Sequence, residues 1–270
     1  MTALLRAGPA TALLSAGVST EAHGRTDQPD PQPASVPPGI APLLWARLAP
    51  AWQRPAEAAS ATVLDCGGGS GSLAVPLAAA GAELTVVDIS IDALSTLLRR
   101  AAEAGVSDRV RAVQGEVEAL SELVQAGSYD LVLAHGLLES VPDRALVLRQ
   151  LALMLKPDGV LSLLLANPVA GVLGRLLAGD VGAALACFRR AQAEGDSIET
   201  MAQQCRQAGL SVESVEGVGV FGEFVAGVVL ERAGVSTLLA ELEQAASALP
   251  PYRDIAARLH VIARRGADTG

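Results

Sequence analysis

Apolar and polar positions alternate in blocks from about residue 41 onward, and the period of the alternation changes from block to block. Short apolar runs at 62–66, 83–88, 109–114, 129–134 and 159–165 read as strands. Between them, residues near 71–80, 91–104, 116–125 and 143–155 carry helical spacing, and Pro42–Trp52 reads as a lead-in helix. A sixth strand is expected before Gly217, and the run Arg258–Arg264 reads as a last one. Strands and helices of this length taking turns mean βαβ units, hence a parallel sheet with helices on both faces. Such sheets bind ligands beyond the carboxyl ends of their strands. Asp65, Asp88, Glu116 and His135 all fall at or just after strand ends, so they are expected to converge along one rim.

The amino-terminal region breaks this pattern. Leu4–Val18 is mildly apolar but interrupted by Arg6, Gly8, Pro9 and Gly17, which argues against a secretory signal. Thr26–Gly39 is rich in proline and polar residues and supports neither helix nor ladder. The expected organisation is a disordered tail over 1–39 and one domain over 40–270, with a small substrate-side insertion about 168–200. Val160–Leu177 is the most apolar later stretch, but Asn167, Pro168 and Arg175 interrupt it and no membrane span is expected.

Composition narrows the partners. Half of the 270 residues are hydrophobic, enough for one sizeable core. Acids outnumber bases 29 to 20, the net charge is -9, and Lys156 is the only lysine. A dominant basic footprint for nucleic acid is therefore missing. Cys66, Cys187 and Cys205 have no paired spacing and suit a reducing cytoplasm. His23, His135 and His260 make no metal cluster with them, so no metal is expected.

The densest chemistry lies in Thr62–Gly71, where a strand ends in Asp65 and glycines follow at 67, 69 and 71. The dinucleotide pattern G-x-G-x-x-G fails, because its third glycine falls on Ser72. The pattern that fits is D-x-G-x-G-x-G. A carboxylate ahead of the glycines suits a ligand with a positive amino group and repels a pyrophosphate. This run resembles motif I of the class I S-adenosylmethionine-dependent methyltransferases. The resemblance implies S-adenosylmethionine as cofactor, with Gly67, Gly69 and Gly71 packing on its methionine half and Asp65 organising its amino group. It also implies a Rossmann-like α/β fold, a mostly parallel seven-stranded sheet with helices on both faces.

Asp88 follows Asp65 by 23 residues, near the ~20 expected of a carboxylate that holds ribose hydroxyls. Its alternative is to cap the next helix, a task Ser90 can perform instead. In the family pattern Ile89 lies beside the adenine, Glu116 receives the adenine amino group and Val117 packs on the ring. Glu116 equally suits a helix first turn, where the dipole favours an acid.

Later segments are similar to the bacterial tRNA 5-carboxymethoxyuridine methyltransferases. The likeness runs from about Ala61 to Arg265 through His135–Val141, Gly159–Asn167 after the Leu155–Gly159 turn, Gly217–Phe221, Pro251-Tyr252 and Arg258–Arg264, and is most specific in His-x-x-Leu-Glu and Arg-x-His-Val. It implies methylation of a carboxylate on a modified tRNA wobble uridine. The lysine-rich loop of that family is replaced here by Gly179–Glu199, whose basic residues are Arg189 and Arg190. A small-molecule O- or N-methyltransferase is the alternative, followed by an NAD(P)-dependent oxidoreductase and a non-catalytic cofactor-binding module. Asn167, Arg258 and His260 are candidates for positioning the acceptor, and His135 for a base towards a hydroxyl or amine. Each has a structural reading beside it. Asn167 caps a helix, His260 faces outward from an edge strand, Arg258 forms a surface ion pair, and His135 is a satisfied polar group under the cofactor.

Overall fold

The computed structural model describes residues 42–53, 59–225, 227–230 and 232–266. The tail expected over 1–39 lies outside them. The strands are β1 (Thr62–Cys66), β2 (Glu83–Asp88), β3 (Val110–Gln114), β4 (Tyr129–His135), β5 (Leu155–Ala166), β6 (Leu210–Val218) and β7 (Arg258–Arg265). They form one seven-stranded sheet in the order β3-β2-β1-β4-β5-β7-β6. Pairing is parallel from β3 to β5, and β7 is antiparallel to both β5 and β6. The helices are α1 (Pro42–Trp52), α2 (Ala74–Ala79), α3 (Ile91–Glu103), α4 (Leu120–Leu123), α5 (Arg144–Met154), α6 (Pro168–Leu177), α7 (Val181–Glu194), α8 (Ile198–Gln207), α9 (Gly227–Leu230) and α10 (Val235–Ala246).

The strands read as unbroken apolar runs because both faces of the sheet are covered. Successive side chains point to opposite faces. Leu64, Val132, Ala134, Leu161, Leu163 and Val261 join the layer that contains Leu148 and Leu151 of α5 and Met201 and Cys205 of α8. Val63, Val86, Leu131, Leu133, Val160 and Ile262 join Leu44 and Leu48 of α1, Leu77 of α2 and Leu97 of α3. Each leucine fully buried this way contributes roughly 1.5–3 kcal/mol.

Local signals fix the elements. The Ser90 hydroxyl accepts from Ala93 N at the start of α3, whose Leu94, Leu97 and Ala101 are buried, and Gly105 at φ 70° follows its end. Ser90 thus takes the capping task and leaves Asp88 to other partners. Because β1 is central, one crossover leads from it to β2 and a later one returns to β4 on its other side. The chain leaves β1 and β4 towards opposite sides of the sheet order there, the place where doubly wound sheets bind ligands.

Five readings of the sequence change. The Leu155–Gly159 turn is not ahead of the fifth strand but within β5, where the register slips between Tyr129 and Leu131 and Asp158 has φ 60°. Gly217 and Val218 belong to β6 rather than following it. The helix expected near 71–80 starts only at Ala74, and the one over 116–125 is a 3-10 turn at Val117–Ala119 plus the short α4. β7 is an inner strand, so His260 does not sit on an edge. Among the described residues no helix is long and apolar enough to cross a membrane, and no three side chains come together as metal ligands. All three cysteines are buried and unpaired.

Candidate active site

The turn after β1 is built around missing side chains. Gly67, Gly69 and Gly71 have φ of 70°, 54° and 76°, where other residues are strained. Gly67 N donates to Val87 O at 2.8 Å and Gly71 N to Gly68 O at 3.0 Å, which closes the turn across the end of β2. A Cβ on Gly71 would stand 2.2 Å from Leu97 Cδ1, so this glycine seats the turn on α3. A Cβ on Gly68 would stand 2.5 Å from Asp65 Oδ2 and 2.8 Å from Val86 Cγ1. Gly68 had no role in the D-x-G-x-G-x-G reading, yet it is what lets the turn fold back over Asp65.

Asp65 is 4% exposed, and among the described residues no donor reaches its carboxylate. Burial, with Asp88 nearby, pushes its pKa up to about 7. A buried acid without a partner is a costly feature that a cationic group would relieve. Burial and Asp65 also push the Cys66 thiol up, which makes this cysteine unreactive. Asp88 accepts from Gly69 N through Oδ2 at 2.9 Å and from Ser90 N through Oδ1 at 2.8 Å. Each oxygen keeps a lone pair for a further donor. Ile89 beside it is 66% exposed, an apolar side chain with nothing covering it. Glu116 is exposed at the end of β3, whereas Val117 is buried in the core.

The loop after β4 closes the other side. Leu137 Cδ1 lies 3.1 Å from where a Cβ on Gly67 would stand, so the two loops touch. Glu139 accepts from Ala166 N and ties this loop to the end of β5. His135 Nε2 is 2.8 Å from Ser162 Oγ, and Ser162 Oγ is 2.8 Å from His260 Nε2. Ser162 has one hydroxyl hydrogen and two lone pairs, so it donates to at most one ring and accepts from the other or from both. Burial chiefly, helped by His260 and Arg258, pushes His135 down to about 3, and burial with Arg47 pushes His260 down to about 4. Both rings are neutral near pH 7 and His135 is a poor base. Glu216, cross-strand neighbour of His260, is 5% exposed and accepts from Arg47 of α1 at 2.8 Å.

The remaining candidates separate. Asn167 is 5% exposed and caps α6 through Val169 N at 3.0 Å, while its Nδ2 donates to Asp254 O at 3.0 Å and Ala256 O at 2.8 Å. Both amide hydrogens are taken by the chain, so Asn167 is a structural clasp rather than an acceptor contact. His260 is 1% exposed and bonded to Ser162, which removes both the outward-facing reading and direct contact with an acceptor. Arg258 is exposed, and its Nη1 is 4.0 Å from where a Cβ on Gly136 would stand. Among the described residues it has no acid partner, so the surface ion pair is not formed.

Residues 63–159 match the family described as "Methyltransferase domain". A ubiquinone biosynthesis O-methyltransferase from Xanthomonas axonopodis pv. citri is 32% identical over 166 residues, 60% of this chain and 67% of its own length. The chain belongs to the class I S-adenosylmethionine-dependent methyltransferases. A tRNA 5-carboxymethoxyuridine methyltransferase from Escherichia coli is 29% identical over 209 residues, 75% of this chain and 79% of its own length. A solved S-adenosylmethionine-dependent methyltransferase from Mesorhizobium loti shares the fold, with a TM-score of 0.54, 20% identity, and coverage of 84% of this chain and 99% of that one.

The cofactor of this methyltransferase is S-adenosylmethionine, and the site has the properties such a ligand needs. Asp65 is a buried acid that no donor reaches among the described residues, and the glycines of the turn over it carry no Cβ that would block approach. Ser162 and Gly68 are the site residues that motif reading missed. Ser162 carried a signal nonetheless: it is the one polar residue in the run Val160–Ala166, and a buried hydroxyl needs a partner.

Proposed function

We propose that this methyltransferase transfers the methyl group to a carboxylate of a small acidic molecule. The observation that carries the reading is Arg258. It is a guanidinium without an acid partner among the described residues, held beside Gly136 at the end of β4. His135 supports it from the other side. With Nε2 engaged by Ser162 and burial pushing its pKa down to about 3, it is a weak base towards a hydroxyl or ammonium acceptor near pH 7. A carboxylate needs no base, because it is already ionised. When bound, S-adenosylmethionine supplies a sulfonium methyl whose carbon bonds to the acceptor oxygen as the carbon–sulfur bond breaks and its electron pair stays on sulfur. The chain's part is alignment and exclusion of water.

On this reading Asp65 receives the cofactor ammonium and the backbone of Gly67 and Gly69 lies along the methionine half. Gly71 holds that turn in place. Asp88 accepts from the ribose hydroxyls. Ile89 and Val117 flank the adenine and Glu116 accepts from its amino group. Asp88→Ala is expected to weaken cofactor binding at least about tenfold, since it removes charge-assisted hydrogen bonds. It would also free Gly69 N. Isothermal titration with S-adenosylhomocysteine measures this, and an unchanged affinity would remove Asp88 from the site.

Methylation of a tRNA carboxymethoxyuridine is the second reading, favoured by the likeness to the Escherichia coli tRNA enzyme. Against it, the net charge is -9, and nucleic-acid affinity rests largely on phosphate contacts. Arg144 is engaged by Asp196 and Glu194, Arg253 by Asp254, and Arg175 by Gly171 O. Methyl-labelled cofactor offered to fractionated tRNA and to small-molecule extract separates the readings. Alkali-labile label in small molecules is the expected result. Alkali-labile label in tRNA would transfer the function to the second reading, and alkali-stable label would end the carboxylate reading in both.

A further inference from the structure

The residue before Arg258 belongs to an apolar surface. A cavity of about 200 Å³ opens between α6, the loop after β6 and the turn before β7, lined by Leu173, Gly174, Leu177, Phe224, Ile255 and Ala257 among others. No residue named here carries a charge or a polar side chain. Engineered apolar cavities of about 150 Å³ stay dry and take up benzene, so this one has room for a single ring or a chain of roughly six to eight carbons. It is too small to be a whole substrate site, which typically measures about 300 Å³ or more.

The walls are fixed. Asn167 clasps the Asp254–Ala256 backbone to the start of α6, and Ala257 N donates to Gly219 O at 2.9 Å. Glu243 accepts from Val220 N, Phe221 N and Gly222 N at 2.7–2.8 Å and so holds the loop that carries Phe224. Yet the surface between these walls is left open. α6 has no buried residue although nine of its ten positions are apolar or glycine, and Leu177 is 72% exposed, Phe224 50% and Val169 46%. Ala257 thus lines the slot, and Arg258, the next residue, has no acid partner among the described residues and brings its Nη1 towards Gly136 after β4.

We propose that the acceptor is an amphipathic carboxylic acid, whose apolar ring or chain fills the slot under α6 while its carboxylate meets Arg258. This rests on the carboxylate reading above. Charge complementarity selects the head and the slot selects the body.

Gly174 provides the test. It lines the slot, its φ is not left-handed, and a Cβ there meets nothing within 4 Å. Gly174→Leu therefore fills the slot without strain, and Gly174→Ala is a smaller control that also favours the helix. The probes are butanoate, hexanoate and octanoate and their uncharged primary amides, titrated into protein saturated with S-adenosylhomocysteine. Wild type is expected to bind each acid about threefold tighter per added methylene, up to the size of the slot. Gly174→Leu should weaken octanoate at least about tenfold and abolish the dependence on length, with butanoate little changed. Arg258→Met should erase the difference between acid and amide and keep the dependence on length.

Affinity independent of length in wild type, or Gly174→Leu behaving as wild type, overturns the slot. Length dependence with acids and amides binding alike keeps the slot and fails the carboxylate reading. Methyl ester formed on acids without length dependence does the reverse. Concentration-dependent self-association that Gly174→Leu abolishes, with no effect of octanoate, would make the slot a contact between two copies and overturn the proposal.

Discussion

Asp65→Asn is expected to make the ligand-free protein more stable and to leave it unable to bind S-adenosylmethionine. The acid titrates near 4 when the chain is unfolded and about 7 when folded. Between those values the folded state holds a proton that the unfolded state has released. Stability therefore falls as pH rises from about 4 to about 7 and stays low above that. A shift of this size corresponds to about 4 kcal/mol, of which about half is recovered once the desolvation of a buried amide is subtracted, hence about 2 kcal/mol at about pH 8. The depressed histidines titrate in the opposite sense, with stability lost as pH falls below about 6.5, and contribute equally to both proteins at pH 8. Thermal melts at that pH should show Asp65→Asn several degrees above wild type without ligand and far below it with cofactor. Wild-type affinity should also drop about tenfold per pH unit below 7, because Asp65 must give up its proton to receive an ammonium. An Asn variant less stable than wild type, or one that binds cofactor normally, would show that Asp65 has a partner in the folded chain.

Arg258→Met should lower kcat/KM for the acceptor by about 10–100-fold, the value of one charge-assisted or bidentate contact to a carboxylate. Cofactor affinity should not move, since Arg258 lies across the rim from Asp65 and Asp88. Arg258→Lys should fall between the two, because it keeps the charge and loses the planar fork. Steady-state kinetics on the acid recovered from the labelled-methyl screen, with cofactor binding measured alongside, reads both. Equal kcat/KM for all three proteins would take Arg258 out of the acceptor site.

The sheet was legible because buried parallel strands must be apolar along their whole length, and runs such as Leu131–Ala134 contribute to both layers. The cofactor turn was legible because glycines at left-handed positions leave a fixed spacing behind an acid. What escaped depends on contacts across the sheet. His260 reads as half of an alternating edge strand, and only the insertion of β7 between β5 and β6 buries it against Ser162. Asn167 reads equally as cap or ligand contact, and the outcome turned on two carbonyls nearly ninety residues away. Gly68 is indistinguishable from its neighbours in a run of three glycines until Asp65 is seen beneath it. Local spacing reveals which residues share a loop. It is silent on which loop a given hydrogen bond will reach.

The serine between the two histidines has a consequence of its own. Its hydroxyl has a single hydrogen, so the imidazoles on β4 and β7 cannot both present a bare Nε2 to it. When the hydroxyl donates to one ring, the other must carry its proton on Nε2. A ligand that leaves His135 Nε2 bare therefore obliges His260 to keep its own proton there. Strands separated by the width of β5 thus share one exclusion rule for protons.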